Sequence, residues 1–207
     1  MPRSRAPDWA SAVRHLSTSD PALAPVAARH GAPTFEPTKD PLASLGRAIV
    51  YQQLSGKAAA TIYGRFLGLF PRKRFPRADL LLSTPVEALR GAGLSAAKAA
   101  SLRDLAAHVA DGRLRPARLW SMSDAEVAAA LLPVRGIGPW SVDMFLMFAL
   151  CRPDVLPVGD LGVRKGMQRH FRLRKLPEPE RMHELATRWQ PYRSVGAWYM
   201  WRLLEEQ

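Results

Sequence analysis

Leu132-Pro133-Val134-Arg135-Gly136-Ile137-Gly138-Pro139-Trp140 lies between two helical signals. Before it, Ser123-Asp124-Ala125-Glu126 has the form of a capping box, and the helix it opens runs to Leu132. After it, Val142, Phe145, Leu146, Phe148, Ala149 and Leu150 make a strongly apolar helix. Two glycines around one apolar residue make a tight turn and let backbone come close to a partner. Ile137 is expected to point inward and anchor that turn. The second helix starts at once, and its N-terminal N–H groups and dipole favour an anion. Helix, Gly-Ile-Gly turn and helix together make a sequence-independent grip for a phosphate. The same spacing also serves an ordinary αα-turn with a C-capping glycine.

Working outward, the signals stay helical. Asp40-Pro41 reads as an N-cap followed by Pro at the first helical position, with Leu42, Leu45, Ile49 and Val50 on one face. Ser55 is placed to cap a helix carrying Ala59, Ile62, Phe66 and Leu69. Thr84-Pro85-Val86-Glu87 reads as a second capping box. The residues before Asp40 read as two short helices. Proline and glycine fall between these segments, apart from Gly64 and Gly68, and no apolar/polar alternation is long enough for a sheet. The expected class is all-α, with about ten helices. Phe70 to Pro76, basic and proline-flanked, is the best linker candidate.

Composition narrows the function. The 207 residues carry 30 Lys or Arg against 18 Asp or Glu, a net charge of +12, and 47% are apolar. That supports a packed core and a polyanionic partner. Arg72, Lys73, Arg74 and Arg77 form one basic group; Arg164, Lys165, Arg169, Arg172, Arg174 and Lys175 form another. Nucleic acid and anionic lipid both answer to such charge. Cys151 is the single cysteine, which excludes a disulfide framework, a Cys-rich zinc site and a four-Cys cluster, and fits a reducing compartment. His15, His30, His108, His170 and His183 lack metal-ligand spacing. The longest apolar run, Met144 to Cys151, is far short of the ~18 residues of a membrane span. Arg3 and Arg5 are not followed by an apolar stretch, so the N-terminus does not read as a secretory signal.

The hairpin stretch, followed about twenty residues later by Val158-Gly159-Asp160, resembles the helix-hairpin-helix DNA glycosylase superfamily, in which a Gly/Pro-rich loop delivers an aspartate. Arg47-Ala48-Ile49-Val50-Tyr51-Gln52-Gln53-Leu54-Ser55 resembles the helix end and loop that such proteins push into the duplex. Leu89-Arg90-Gly91-Ala92-Gly93-Leu94-Ser95, with Lys98 and Ala99, and Trp189-Gln190-Pro191-Tyr192-Arg193-Ser194 resemble segments of its 3-methyladenine DNA glycosylase II (AlkA-like) branch. The resemblance spans roughly residues 40 to 204. An N-terminal β-rich domain, which some members carry, is expected to be missing or much reduced.

The resemblance implies roles residue by residue. Asp160 is the catalytic candidate, a carboxylate that stabilises positive charge on the sugar and orients water; simple N-capping is compatible with that role. Asp143 and Asp154 are alternatives, the first expected to face solvent or a polar partner, the second to be a loop residue. Some relatives carry a nucleophilic lysine two residues after the second hairpin glycine. Here Trp140 stands there, and an indole cannot form an imine, so the expected chemistry is monofunctional. Trp140 and Trp201, then Tyr51, Met144 and Trp198, are nominated as walls of the base pocket, where electron-rich rings meet a cationic alkylated base. Gln53 with Leu54 behind it is the wedge that fills the vacated stack. Backbone contacts are expected from Arg135, Gly136 and Gly138, with Arg164 and Lys165. Carbonyls of Leu132, Val134 and Ile137 are candidate ligands for a structural Na+ or K+ at the hairpin; no cofactor is required.

The implied protein is thus a hydrolase of N-glycosyl bonds, taking bases such as 3-methyladenine and 7-methylguanine from double-stranded DNA in base excision repair. Two other readings remain open: a non-catalytic helix-hairpin-helix DNA-binding module, and a glycosylase for another lesion. The implied architecture is a single glycosylase unit over residues 1–207 with two helical lobes and a cleft between them. Lobe A comprises about 1–52 and 171–207, and lobe B about 53–170 with the hairpin at 133–138. A monomer in the cytoplasm, on the nucleoid if bacterial and not at a membrane, is the matching expectation.

Overall fold

The computed structural model describes residues 7–205, so Arg3 and Arg5 lie outside the described residues. Among those residues there are helices and no strands. In chain order the α-helices are α1 (Trp9–Ser19), α2 (Ala24–His30), α3 (Pro41–Tyr51), α4 (Gly56–Gly68), α5 (Ala78–Ser83), α6 (Val86–Gly91), α7 (Ala96–Ala110), α8 (Asp124–Leu131), α9 (Pro139–Met144), α10 (Leu161–His170), α11 (Pro179–Ala186) and α12 (Arg193–Glu205). A π-helical turn, Phe145–Ala149, continues α9. No helix among the described residues is long and apolar enough to cross a membrane.

The chain divides into two compact units. One holds residues Thr38–Val142; the other holds those up to Pro37 and from Asp143 onward. The boundaries therefore fall before α3 and inside α9, rather than at the expected 52/53 and 170/171. The later boundary moves because of the packing of α10. Gly166 presses on α12 so closely that a Cβ there would sit 2.4 Å from the Met200 carbonyl oxygen, which ties residues 161–170 to the C-terminal helix.

In the terminal unit the core gathers Leu16, Leu23, Met167, Trp189, Val195, Tyr199 and Met200. A buried polar knot sits within it. Asp20 Oδ2 accepts the Trp189 indole N–H at 2.9 Å and lies 2.8 Å from His170 Nε2. Burial alone would raise the Asp20 pKa, but the hydrogen bonds from His170 and Trp189 outweigh it and hold the carboxyl below its ordinary value. Asp154 is a loop residue as expected, and it is tied to Arg193 through both carboxylate oxygens, at 2.8 and 2.9 Å, so it anchors the start of α12.

In the middle unit Leu45, Ile49, Val50, Phe66, Leu81, Leu89, Leu102, Leu105 and Leu131 are buried. The Asp40 cap forms as expected, with its Oδ1 accepting the Ala43 N–H at 3.0 Å. So does the Ser123/Glu126 capping box. Ser55 occupies its N-cap position without a side-chain bond. The Thr84 box does not form: Pro85 takes the N-cap position, and Thr84 Oγ1 turns back to the Leu80 carbonyl at 2.7 Å, closing α5 instead. Phe70 to Pro76 is not a linker. Phe70 is buried, and the Phe75 ring fills the space beside Gly46 that a side chain there would need.

Candidate functional site

The hairpin is built by local bonds and then fixed from outside. Val134 N–H donates to the Leu131 carbonyl and Ile137 N–H to the Val134 carbonyl, each at 3.0 Å, and Ile137 is buried as expected. Gly136 has φ +80°, and a Cβ on it would lie 2.6 Å from Ser101 Oγ, so both the turn and the close approach require glycine. Three side chains hold this turn. Asp104 Oδ2 accepts the Arg135 N–H at 2.8 Å. Gln52 Nε2 donates to the Gly136 carbonyl at 2.9 Å and reaches Ser141 Oγ at 3.3 Å. Ser101 packs beneath. Gly138 has neither a left-handed φ nor any atom within 4 Å of a hypothetical Cβ. Arg135 is exposed beside the turn. Trp140, on the first turn of α9, leaves 46% of its surface exposed, which is unusual for the largest side chain.

In the same unit Gln53 and Leu54 are exposed at the end of α3. Gln53 adopts φ +55°, the left-handed region that non-glycine residues avoid. Tyr51 has the Arg47 guanidinium 4.1 Å from its ring centroid and Tyr63 edge-on at 6.0 Å, so its ring is engaged within the unit. Leu132 is exposed at the end of α8, whereas Val134 is buried.

The terminal unit holds the aspartate. Asp160 is the N-cap of α10, with Oδ1 accepting the Val163 N–H at 2.8 Å. The same oxygen accepts the Trp201 indole N–H, also at 2.8 Å. A side chain at Gly162 would stand 2.7 Å from the Trp201 ring, so the indole reaches Asp160 only because that position is glycine. Trp201 in turn stacks on Phe148 with centroids 5.8 Å apart. Phe35 meets Phe148 edge-on at 4.9 Å and Trp198 at 6.3 Å. Trp198 has the Arg202 guanidinium 5.1 Å from its ring. Phe148, 40% exposed, and Phe35 were not among the expected site residues. Phe148 counted in the sequence as one apolar position among many; the π turn, in which Leu150 N–H bonds the Phe145 carbonyl, breaks the 3.6-residue phase on which that count relies. Met144 is half-buried at the end of α9.

The basic candidates differ. Lys165 is exposed. Arg164 gives its guanidinium to the Pro177 carbonyl and to Glu178, and so fastens the loop before α11. Asp143 is half-buried, and burial, with no polar partner to offset it among the described residues, pushes its carboxyl up to about 6. Burial likewise pushes the Cys151 thiol up to about 11, which leaves it unreactive at neutral pH.

The unit holding Asp160 thus presents a carboxylate clamped between a helix N-terminus and an indole, with aromatic rings behind it. The middle unit presents a glycine turn feeding a helix, with an exposed loop tied to it. A Bacillus subtilis relative is 32% identical over 164 residues, and the chain spans 57% of its length and is itself covered to 77%. The DNA-3-methyladenine glycosylase 1 of Schizosaccharomyces pombe is 35% identical over 166 residues, 79% of this chain and 72% of that protein. The solved structure of an S. pombe 3-methyladenine DNA glycosylase in complex with abasic DNA superposes with a TM-score of 0.80 at 32% identity, covering 93% of this chain and 95% of the other. A family model described as the HhH-GPD superfamily base excision DNA repair protein matches residues 47–191, and the chain belongs to that superfamily.

Proposed function

We propose that the protein is a monofunctional DNA glycosylase that releases alkylated bases such as 3-methyladenine and 7-methylguanine from duplex DNA. The observation that carries this is the double clamp on Asp160. The α10 N-terminus and the Trp201 N–H fix one carboxylate oxygen, giving the group a set orientation and a favourable site for negative charge. As the C1′–N bond stretches, its electron pair leaves with the base. An alkylated base is already cationic and departs neutral. Positive charge develops on the sugar, and a fixed carboxylate stabilises it where solvent reorganisation is not needed. Water then adds at C1′ and gives up a proton, leaving an intact abasic site.

Trp140 supports water rather than the protein as nucleophile, since an indole makes no imine. In the middle unit the exposed Trp140 ring and Tyr51, and in the terminal unit Trp201 stacked on Phe148 together with Met144 and Trp198, are each nominated as stacking surface for a flipped cationic base. Gln53 and Leu54 fill the gap left in the duplex, and the hairpin amides with Arg135 and Lys165 take backbone phosphates. A Na+ or K+ ion at the carbonyls of Leu132, Val134 and Ile137 belongs to the same reading. Val134 already accepts one turn bond and keeps a second lone pair for an ion. A DNA substrate places the enzyme in the compartment that holds the genome.

The test is a panel of duplexes, each with a single 7-methylguanine, hypoxanthine, uracil or 8-oxoguanine, incubated with the protein and then treated with alkali. The expected result is strand breakage at the methylated base only after alkali, with no adduct trapped by borohydride. Breakage confined to another lesion reassigns the substrate. No alkali-labile product on any duplex leaves a DNA-binding module without chemistry.

A further inference from the structure

Lys98 lies on the third residue of α7, which Ser95 caps by accepting the Lys98 N–H at 3.2 Å. Its side chain has another destination. Nζ donates to the Val50 carbonyl at 2.6 Å and to the Gln52 carbonyl at 2.8 Å. These carbonyls sit where α3 ends, so their intrahelical partners are lost and an ammonium there both satisfies them and answers the negative end of the helix dipole. Lys98 is half-buried, and burial lowers its pKa. A partly desolvated ammonium is retained only against a compensating contact, and the compensating contact here is the loop. Gln52, whose carbonyl Lys98 holds, gives its side chain to the Gly136 carbonyl of the hairpin. The next residue, Gln53, is held at φ +55°, a conformation of higher energy that persists only where its surroundings impose it.

From this geometry we infer that Lys98 is a positioning residue: it locks the Gln52–Gln53–Leu54 loop in the shape that enters the duplex and, through Gln52, sets that loop in fixed register with the phosphate-gripping hairpin. The inference rests on the reading of Gln53 and Leu54 as the wedge. It gives Lys98 no contact with substrate. Its effect falls on the step in which the base leaves the stack, because a wedge displaced by about an ångström can lower the rate by up to ~100-fold without touching the chemistry.

The experiment uses the full chain as Lys98→Met, Lys98→Arg and the double variant Gln53→Ala/Leu54→Ala. Affinities are measured for an undamaged duplex and for the same duplex with a tetrahydrofuran abasic analogue, alongside single-turnover release of 7-methylguanine and thermal midpoints. Lys98→Met is expected to lose the preference for the abasic duplex by roughly 10-fold or more and to lower the single-turnover release rate by a similar factor. Its affinity for undamaged duplex should stay unchanged. Lys98→Arg, which keeps charge and donors, should recover part of the preference and shows the same dependence if Lys98→Met does not fold. A Lys98→Met protein that keeps its abasic preference and rate, while the double variant loses them, overturns the role of Lys98 alone. Full preference in the double variant overturns the wedge reading itself. A parallel fall of Lys98→Met on both duplexes overturns positioning in favour of general charge.

Discussion

Two turn-to-helix junctions, one in each unit, solve the same electrostatic problem in opposite ways. At the start of α10 the residue before the helix is Asp160, whose carboxylate takes the Val163 N–H and so brings the negative charge with it. At the start of α9 the corresponding residue is Gly138, which has no side chain to offer. A helix N-terminus favours an anion in both places. One junction carries its own; the other leaves the position to an anion from elsewhere. The supports differ accordingly. Asp160 is steadied by an indole from α12, made accessible by Gly162. The glycine turn is steadied at its backbone, by Gln52 and Asp104. A single residue type before the helix thus separates a junction that carries its own carboxylate from one that carries none.

The strongest way to break this contrast is Asp160→Asn. Asparagine caps a helix about as well as aspartate, so α10 should keep its stability while the charge is gone. Base release should fall by about 10²- to 10³-fold, the scale for loss of one preorganised charge-stabilising group. Affinity for undamaged duplex should persist. A drop of many degrees in thermal midpoint with unchanged release per folded molecule would return Asp160 to the role of a cap.

The next largest effects should separate the two hairpin glycines. Gly136→Ala forces a side chain into φ +80° and towards Ser101 Oγ at 2.6 Å, and should cost about 1–3 kcal/mol of stability, seen as a lower melting temperature without DNA. Gly138→Ala meets nothing within 4 Å and no unfavourable φ, so its melting temperature should not move. Its affinity for duplex should nonetheless fall by about 10-fold irrespective of sequence, because only an incoming backbone would feel the added methyl. Equal melting temperatures for the two variants, or an unaltered affinity for Gly138→Ala, would remove the distinction between a glycine the fold needs and one the ligand needs.

What the sequence made legible follows from the range of the bonds. The Asp160 cap, the Ser123/Glu126 box and the Gly136 turn close within three or four residues, and each could be named from spacing alone. The Trp201–Asp160 bond spans 41 residues, and nothing local announces it; the family resemblance nominated Trp201 only as a pocket wall. Gly162 was invisible because its reason is steric and distant, and Phe148 because a π turn displaced it from the expected phase. Thr84 misled because Pro85 moved the cap by one residue, and the basic run at Arg72–Arg74 misled because charge conceals the buried Phe70 on one side and the Phe75 ring packed beside Gly46 on the other. The division of the chain was missed for a related reason: Gly166 decides where α10 belongs, and a mid-helix glycine looks like a weak helix former until the partner backbone is in view.

Asp143 supplies the smallest effect and extends the contrast to a third carboxylate. Asp160 receives two N–H donors, whereas burial is the sole influence raising Asp143 to about 6 from an ordinary 3.8. The folded state therefore binds a proton that the unfolded chain releases between those two values, and stability falls as pH rises through that window. Above about 6 the loss is complete; below 3.8 it vanishes. Asp143→Asn removes the charge at every pH. Its melting temperature relative to the native protein should be unchanged near pH 4 and higher by roughly 2–4 °C at neutral pH, corresponding to about 1 kcal/mol once partial exposure of the carboxylate has reduced the full shift. A difference independent of pH, or a stabilisation larger at pH 4 than at neutrality, would mean that Asp143 carries its charge comfortably in the fold and that a half-buried carboxylate on the hairpin helix needs no donors of the kind that hold Asp160.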